Sequence, residues 1–250
     1  MDYDKTAVPD TYDAGRERTP EQKLRFLRAY AERTGTEEIN RIIDLGCGTG
    51  RYTQTLAEVF DADVLGVEPS DRMREQAEAK TDSGHVTIAR GTGDEIPAED
   101  GAADLILMSM VLHHLPDIGA VARECARVLR LGGFACIWNT VQDEAGTYPY
   151  HGVFPSIRAI IDRKLTPRAE LDGLFEAQSL ELFHRETVPH VVAPDWQTLA
   201  DKMALRADSF VAELSDAEHA AGLERLRELA AKGDGSPSVL QVDRIIYRRR

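Results

Sequence analysis

Asp44-Leu45-Gly46-Cys47-Gly48-Thr49-Gly50 continues from the apolar run Arg41 to Leu45, expected as a strand, and leads into Tyr52, Leu56, Val59 and Phe60, which recur at helical spacing. The order is strand, glycine-rich turn, helix. Glycine lets the chain turn tightly and lets a ligand approach bare backbone. A helix start presents unpaired N–H groups to an anionic or carboxylate ligand. A dinucleotide fingerprint would place a third glycine at position 51, where the chain has arginine.

Outward from that turn the pattern repeats. Further short apolar runs, expected as strands, lie at Asp63 to Val67, His85 to Arg90, Ala103 to Ser109 and Gly133 to Asn139. Runs apolar throughout suit parallel strands covered on both faces. Between the last two, Ile118, Val121, Ala122, Cys125, Val128 and Leu129 mark a helix expected to stop at Gly132-Gly133. Such alternation predicts a doubly wound α/β sheet. Before the first strand, Thr19-Pro20-Glu21-Gln22 reads as a capping box with proline at the first helical position.

Beyond residue 140 the rhythm changes. Residues 141 to 153 read as a loop. Helices are expected around Phe154 to Leu165, after Thr166-Pro167, in one long stretch from Trp196 to Leu214, and after Ser215. Leu180 to Val192 and Gln241 to Arg248 read as two more strands. One domain is expected: 1–40 an N-terminal lid and helix, 41–140 a cofactor-binding core, 141–176 a lid insertion, 177–250 the C-terminal strands and helices.

The formal net charge of −13 disfavours a nucleic-acid partner. The closing Arg248-Arg249-Arg250 reads as a solvated tail. Cys47, Cys125 and Cys136 show no metal-ligand spacing and read as reduced, buried thiols, so no metal is expected. The opening MDYDKTAVPD is polar and acidic, unlike a signal peptide, and no apolar run approaches the ~20 residues of a membrane span. A cytoplasmic protein without a membrane partner, monomeric or homodimeric, is expected.

Two carboxylates qualify the glycine turn. Asp44, just before its first glycine, suits an ammonium better than a pyrophosphate. S-adenosylmethionine carries such an ammonium at its amino-acid end. Glu68 closes the second strand in Val64-Leu65-Gly66-Val67-Glu68-Pro69-Ser70, where an acid can accept from both ribose hydroxyls. Met73, on the following helix, suits either the core or an adenine face. His113 and His114 are adjacent and expected to point to different sides. With His151 they are the candidate general bases if the acceptor must lose a proton, though a structural role is the plainer reading.

These residues carry a resemblance. Gly-x-Gly-x-Gly after the first strand with an acid closing the second resembles the class I S-adenosylmethionine-dependent methyltransferases. The likeness continues through Gly91-Thr92-Gly93-Asp94-Glu95-Ile96-Pro97 and Met108 to Leu115-Pro116-Asp117, then Val128 to Gly133, about residues 40 to 140. Tyr12-Asp13-Ala14-Gly15-Arg16 is similar to small-molecule members of the quinone-biosynthesis and trans-aconitate sort. The resemblance implies a Rossmann-like, mainly parallel seven-stranded sheet. It implies a backbone cradle from Gly46, Cys47, Gly48 and Gly50, an ammonium site at Asp44, and a ribose site at Glu68 beside Pro69. It places Thr92 and Gly93 by the adenine and Met108 and Ser109 near the sulfonium. Many relatives carry aspartate where this chain has Thr92. Tyr12, Arg16, Tyr148, Tyr150 and Phe154 are expected on the lid or substrate wall, with Trp138. The reaction implied is in-line methyl transfer to an O, N, C or S atom of a small molecule, leaving S-adenosylhomocysteine. An NAD(P)-dependent oxidoreductase and a non-catalytic binding module of the same fold stay open as alternatives.

Overall fold

The computed structural model describes Asp4 and residues 18–81, 84–233 and 235–250. Seven strands form one sheet: β1 (Arg41–Leu45), β2 (Asp63–Val67), β3 (Val86–Ala89), β4 (Ala103–Ser109), β5 (Leu129–Asn139), β6 (Leu180–Ala193) and β7 (Ser238–Arg249), in the order β3-β2-β1-β4-β5-β7-β6. The first five are mutually parallel, whereas β7 runs antiparallel to both its neighbours. The chain leaves β1 toward β2 on one side and returns to β4 on the other. Such a reversal opens a crevice at the strands' carboxyl ends.

One face of the sheet is covered by α1 (Pro20–Thr34) and α2 (Thr53–Phe60); Phe26, Leu27 and Tyr30 of α1, Leu56 of α2 and Tyr52 just before it pack with Ile42, Leu105, Cys136 and Trp138. α1 starts where the sequence predicts: Thr19 and Gln22 cap each other's backbone N–H groups. The other face holds Ile43, Met108 and Ala135 against α4 (Ile118–Val128) and α6 (Arg168–Glu176). α3 (Asp71–Ala79) follows β2, and α5 (Ile157–Lys164) precedes α6. The three cysteines are free and buried. No helix among the described residues is long and apolar enough to cross a membrane.

Three expectations are corrected. The helix read as running to Gly132-Gly133 ends at Val128, and Leu129 already pairs with Ala103 of β4. The left-handed turn at Gly132 (φ +81°) lies within the strand, at an irregularity in the β4–β5 pairing. The single helix read from Trp196 to Leu214 is broken. α7 (Trp196–Ala204) stops before Arg206, at φ +49°, and only a short turn, Val211–Glu213, resumes. Asp208 Oδ1 accepts from the N–H of Phe210 and of Val211, a local bond that competes with helix continuation. α8 (Asp216–Lys232) then begins at the Ser215 cap. Arg248 and Arg249 belong to β7 rather than to a tail, with Arg248 over the Phe134 ring and Arg249 bonded to the Leu129 carbonyl.

Candidate functional site

β1 and β2 are adjacent and in register, Leu45 opposite Val67, so the glycine turn and Glu68 emerge side by side. The turn is anchored by two N–H groups, of Gly46 and Cys47, that both reach the Val67 carbonyl (2.8 and 3.1 Å). Gly46, Gly48 and Gly50 all take positive φ (71°, 57°, 72°), which favours glycine at each. Two of them are also fixed by packing: a Cβ on Gly46 would collide with Val111, and one on Gly50 would meet the α3 backbone at Ala77, 3.1 Å away. Those two glycines therefore answer to the fold before any ligand.

Glu68 is the organiser of the turn. Its Oε2 accepts from the Gly48 N–H (3.1 Å) and its Oε1 from the Ser70 N–H (3.0 Å). It thus cradles the turn and steadies the entry to α3 together. Burial raises its pKa, opposed by these two backbone bonds. Arg74 braces the same corner from the carbonyls of Glu68 and Pro69. Ser70 caps α3 and donates to Asp4 (2.6 Å), which also accepts from the backbone of Asp71 and Arg72.

Asp44 lies buried under the turn and accepts from Thr53 Oγ1 (2.7 Å) through Oδ2. Among the described residues no donor reaches its Oδ1. Burial pushes its carboxyl up to about 6, against the pull of the Thr53 bond and of Arg51; the Glu68 charge adds a little more. Across the crevice Ser109 closes β4, and its Oγ, like the Tyr52 hydroxyl, is buried without a partner among the described residues. Cys47 is buried and its thiol is held high by desolvation.

The remaining predicted residues divide. Met73 is buried in the first turn of α3. Thr92 is exposed and bridges Glu95 by backbone alone, while Gly93 packs where a Cβ would press on Leu115 and Val121 at 2.9 Å. Met108 is fully buried on the α4 face. Tyr148, Tyr150 and Phe154 are also core. Tyr150 donates to Asp208 (2.8 Å), and Phe154 occupies the space that a Cβ on Gly222 would need. All three rings pack within the helical layer that the sequence reads as lid and substrate wall. His113 and His114 do not point apart: a tight turn, Leu112–His114, sets their rings side by side, tilted by 47° with centroids 4.1 Å apart. His151 is exposed beyond that layer. Tyr12 and Arg16 lie outside the described residues. No cluster of three or more metal-ligating side chains occurs among the described residues.

Thr53, Arg74 and Asp4 escaped the sequence reading. Thr53 was findable as the first residue of the helix after the turn, on the side of Asp44. Asp4 had no signal, because its partner lies 66 positions away.

Residues 43–137 match the family model described as a methyltransferase domain. An uncharacterized methyltransferase of Mycobacterium tuberculosis is 34% identical over 137 residues, 54% of this chain and 51% of that one. The chain spans about half the length of the curated relatives it matches first. The 27-O-demethylrifamycin SV methyltransferase of Amycolatopsis mediterranei is 26% identical over 199 residues, 75% of this chain and 71% of that one. In fold, a solved structure from Anabaena variabilis, assigned to an antibiotic biosynthesis pathway as a methyltransferase, aligns with TM-score 0.72 over 91% of this chain and 97% of that one, at 19% identity. The matched stretch, residues 43–137, is thus similar to a methyltransferase domain, and it spans the parallel part of the sheet from β1 into β5.

Proposed function

We propose that the protein transfers a methyl group from S-adenosylmethionine to a small organic acceptor. The observation that carries this reading is the convergence of Asp44, the glycine turn and Glu68 on neighbouring strand ends. The groups present fit that donor. Asp44 keeps Oδ1 for an ammonium, and each Glu68 oxygen, holding one backbone bond, keeps a lone pair for a ribose hydroxyl. Ser109 Oγ is a buried polar atom awaiting a partner at the mouth of β4.

When bound, the sulfonium supplies an already activated methyl group. The chain's own work is then to bind, orient and exclude water. Asp44 fixes the amino-acid end, and Glu68 fixes the ribose. Holding donor and acceptor in line accounts for ~7–11 kcal/mol of barrier lowering in well-oriented systems. Charge is dispersed as the methyl moves, so a dry pocket suits the step. A base is needed only for an acceptor that must lose a proton.

A small acceptor is supported by the acidic surface, at −13 formal charge, and by the rifamycin-named relative. Calorimetry tests the donor: S-adenosylhomocysteine should bind and NADH should not. The reverse would establish the oxidoreductase alternative. Labelled methyl groups should appear on members of a small-metabolite panel and not on tRNA. Donor binding without transfer to any of them would favour the non-catalytic module.

A further inference from the structure

On the sheet face covered by α1 and α2, beside the carboxyl end of β5, three cations gather round one imidazole. Arg18 Nη2 lies 3.3 Å from Nδ1 and 3.2 Å from Nε2 of His190. Its guanidinium sits over the rings of Phe26 and Tyr52. Arg51 covers the Tyr52 ring from 4.8 Å. Lys202, on α7, donates to the Val192 carbonyl at 2.7 Å. Trp138 stands edge-on to His190, with ring centroids 6.1 Å apart.

The balance of charge here is unusual for this chain. Acidic residues outnumber basic ones, 43 to 30. Arg127, Arg130, Arg168, Arg185 and Arg244 each hold a carboxylate. Among the described residues, Arg18 and Lys202 hold none. Both are half-buried, and desolvation and mutual repulsion lower the pKa of Lys202, while desolvation and the nearby arginines lower that of Arg18 despite Tyr52. Burial and the three cations hold His190 down to about 3, so its ring stays neutral and adds no further charge. Like charges kept together out of water are costly unless an anion joins them. Two polar atoms in the same wall, Trp138 Nε1 and Tyr52 Oη, are buried with no partner among the described residues.

The geometry points to an anion subsite for the methyl acceptor, in which Arg18 and Lys202 hold an anionic oxygen beside His190, with the Tyr52 hydroxyl and Trp138 Nε1 in the same wall. The acceptor class is therefore a small organic acid. This rests on the methyltransferase reading, since it places the subsite next to the donor's. Of the three cations only Arg51 also acts on Asp44. Arg18 and Lys202 are not among the groups that act on Asp44.

The probes are 4-hydroxybenzoate and the neutral 4-hydroxybenzamide, titrated into the full chain with and without S-adenosylhomocysteine. The acid should bind and the amide more weakly. Arg18→Gln and Lys202→Met should each raise the acid's dissociation constant about ten- to hundredfold, the size of a lost charge-assisted bond, with S-adenosylhomocysteine affinity unchanged. Carbon-13 NMR of the His190 ring in the unsubstituted chain gives a readout free of folding effects. At neutral pH the acid should shift its ring resonances and the amide should not. Equal binding of acid and amide, or a His190 ring indifferent to the acid, overturns the subsite. So does a loss of S-adenosylhomocysteine affinity in both variants, which would give the cations to the donor's carboxylate. A wild-type chain that fails to bind S-adenosylhomocysteine sinks the methyltransferase reading instead, while the acid–amide comparison without it still decides the subsite.

Discussion

Asp44 sets stability against binding. Its ordinary pKa is 3.8 and its folded value about 6, so the folded state holds the proton more tightly. The sign follows: stability is greatest below the ordinary value, falls as pH rises from about 4 through about 6, and is level above. A shift of that size corresponds to about 3 kcal/mol. Asp44→Asn should therefore raise the melting temperature of the ligand-free chain near neutral pH and weaken S-adenosylhomocysteine. In the wild type, affinity for that ligand should climb as pH passes upward through about 6, because only the ionised carboxylate suits an ammonium. A flat calorimetric profile would remove Asp44 from the donor site. Glu68→Ala should cost one to two decades of affinity, since bonds to a charged acceptor are worth ~1.5–3 kcal/mol. Because Glu68 also holds the Gly48 and Ser70 N–H groups, the melting temperature should fall as well. Both acids were legible in the sequence, as carboxylates bracketing a glycine turn. Arg18, His190 and Lys202 were not, because Arg18 meets His190 across 172 positions and no local pattern records that.

At the scale of elements, the glycine turn was legible in position but not fully in cause. The sequence suggested a cradle for a ligand, whereas Gly46 and Gly50 are also required by Val111 and by the α3 backbone. Gly46→Ala should thus destabilise the chain even without ligand, and Val111→Ala in the same chain should recover part of the loss; denaturant melts of the single and double variants decide this. The break after α7 was invisible to periodicity. Phe210, Val211 and Leu214 keep their apolar spacing, but the Asp208 carboxylate captures backbone N–H groups and the Tyr150 hydroxyl. Asp208→Ala should lower stability by about 1–3 kcal/mol, the usual cost of stranding buried donors, with donor affinity unchanged.

Across the whole molecule, β1, β2 and β4 fall on the bounds expected from their apolar runs. Such strands are buried on both faces, so composition alone marks them. The half after residue 140 was less legible, because its aromatic residues serve packing between helices rather than a sheet face. One network there ties distant elements. Asp243, fully buried on β7, accepts from Arg168 on α6 (3.0 Å) and Thr187 on β6 (2.7 Å). Asp243→Ala should destabilise the fold by about 3–5 kcal/mol, as removing one member of a buried ion pair does. Chemical denaturation measures it, and S-adenosylhomocysteine affinity of the surviving folded fraction should be kept.

β7 fills a slot between β5 and β6, yet it is made after both. On the ribosome, the growing chain presents the bare edge of β5 until residues 238–249 have cleared the exit tunnel. An unpaired strand edge is a template for pairing with other chains. Nascent chains stalled before that stretch should therefore be the form that holdase chaperones capture and proteases cut, and release of β7 should end both.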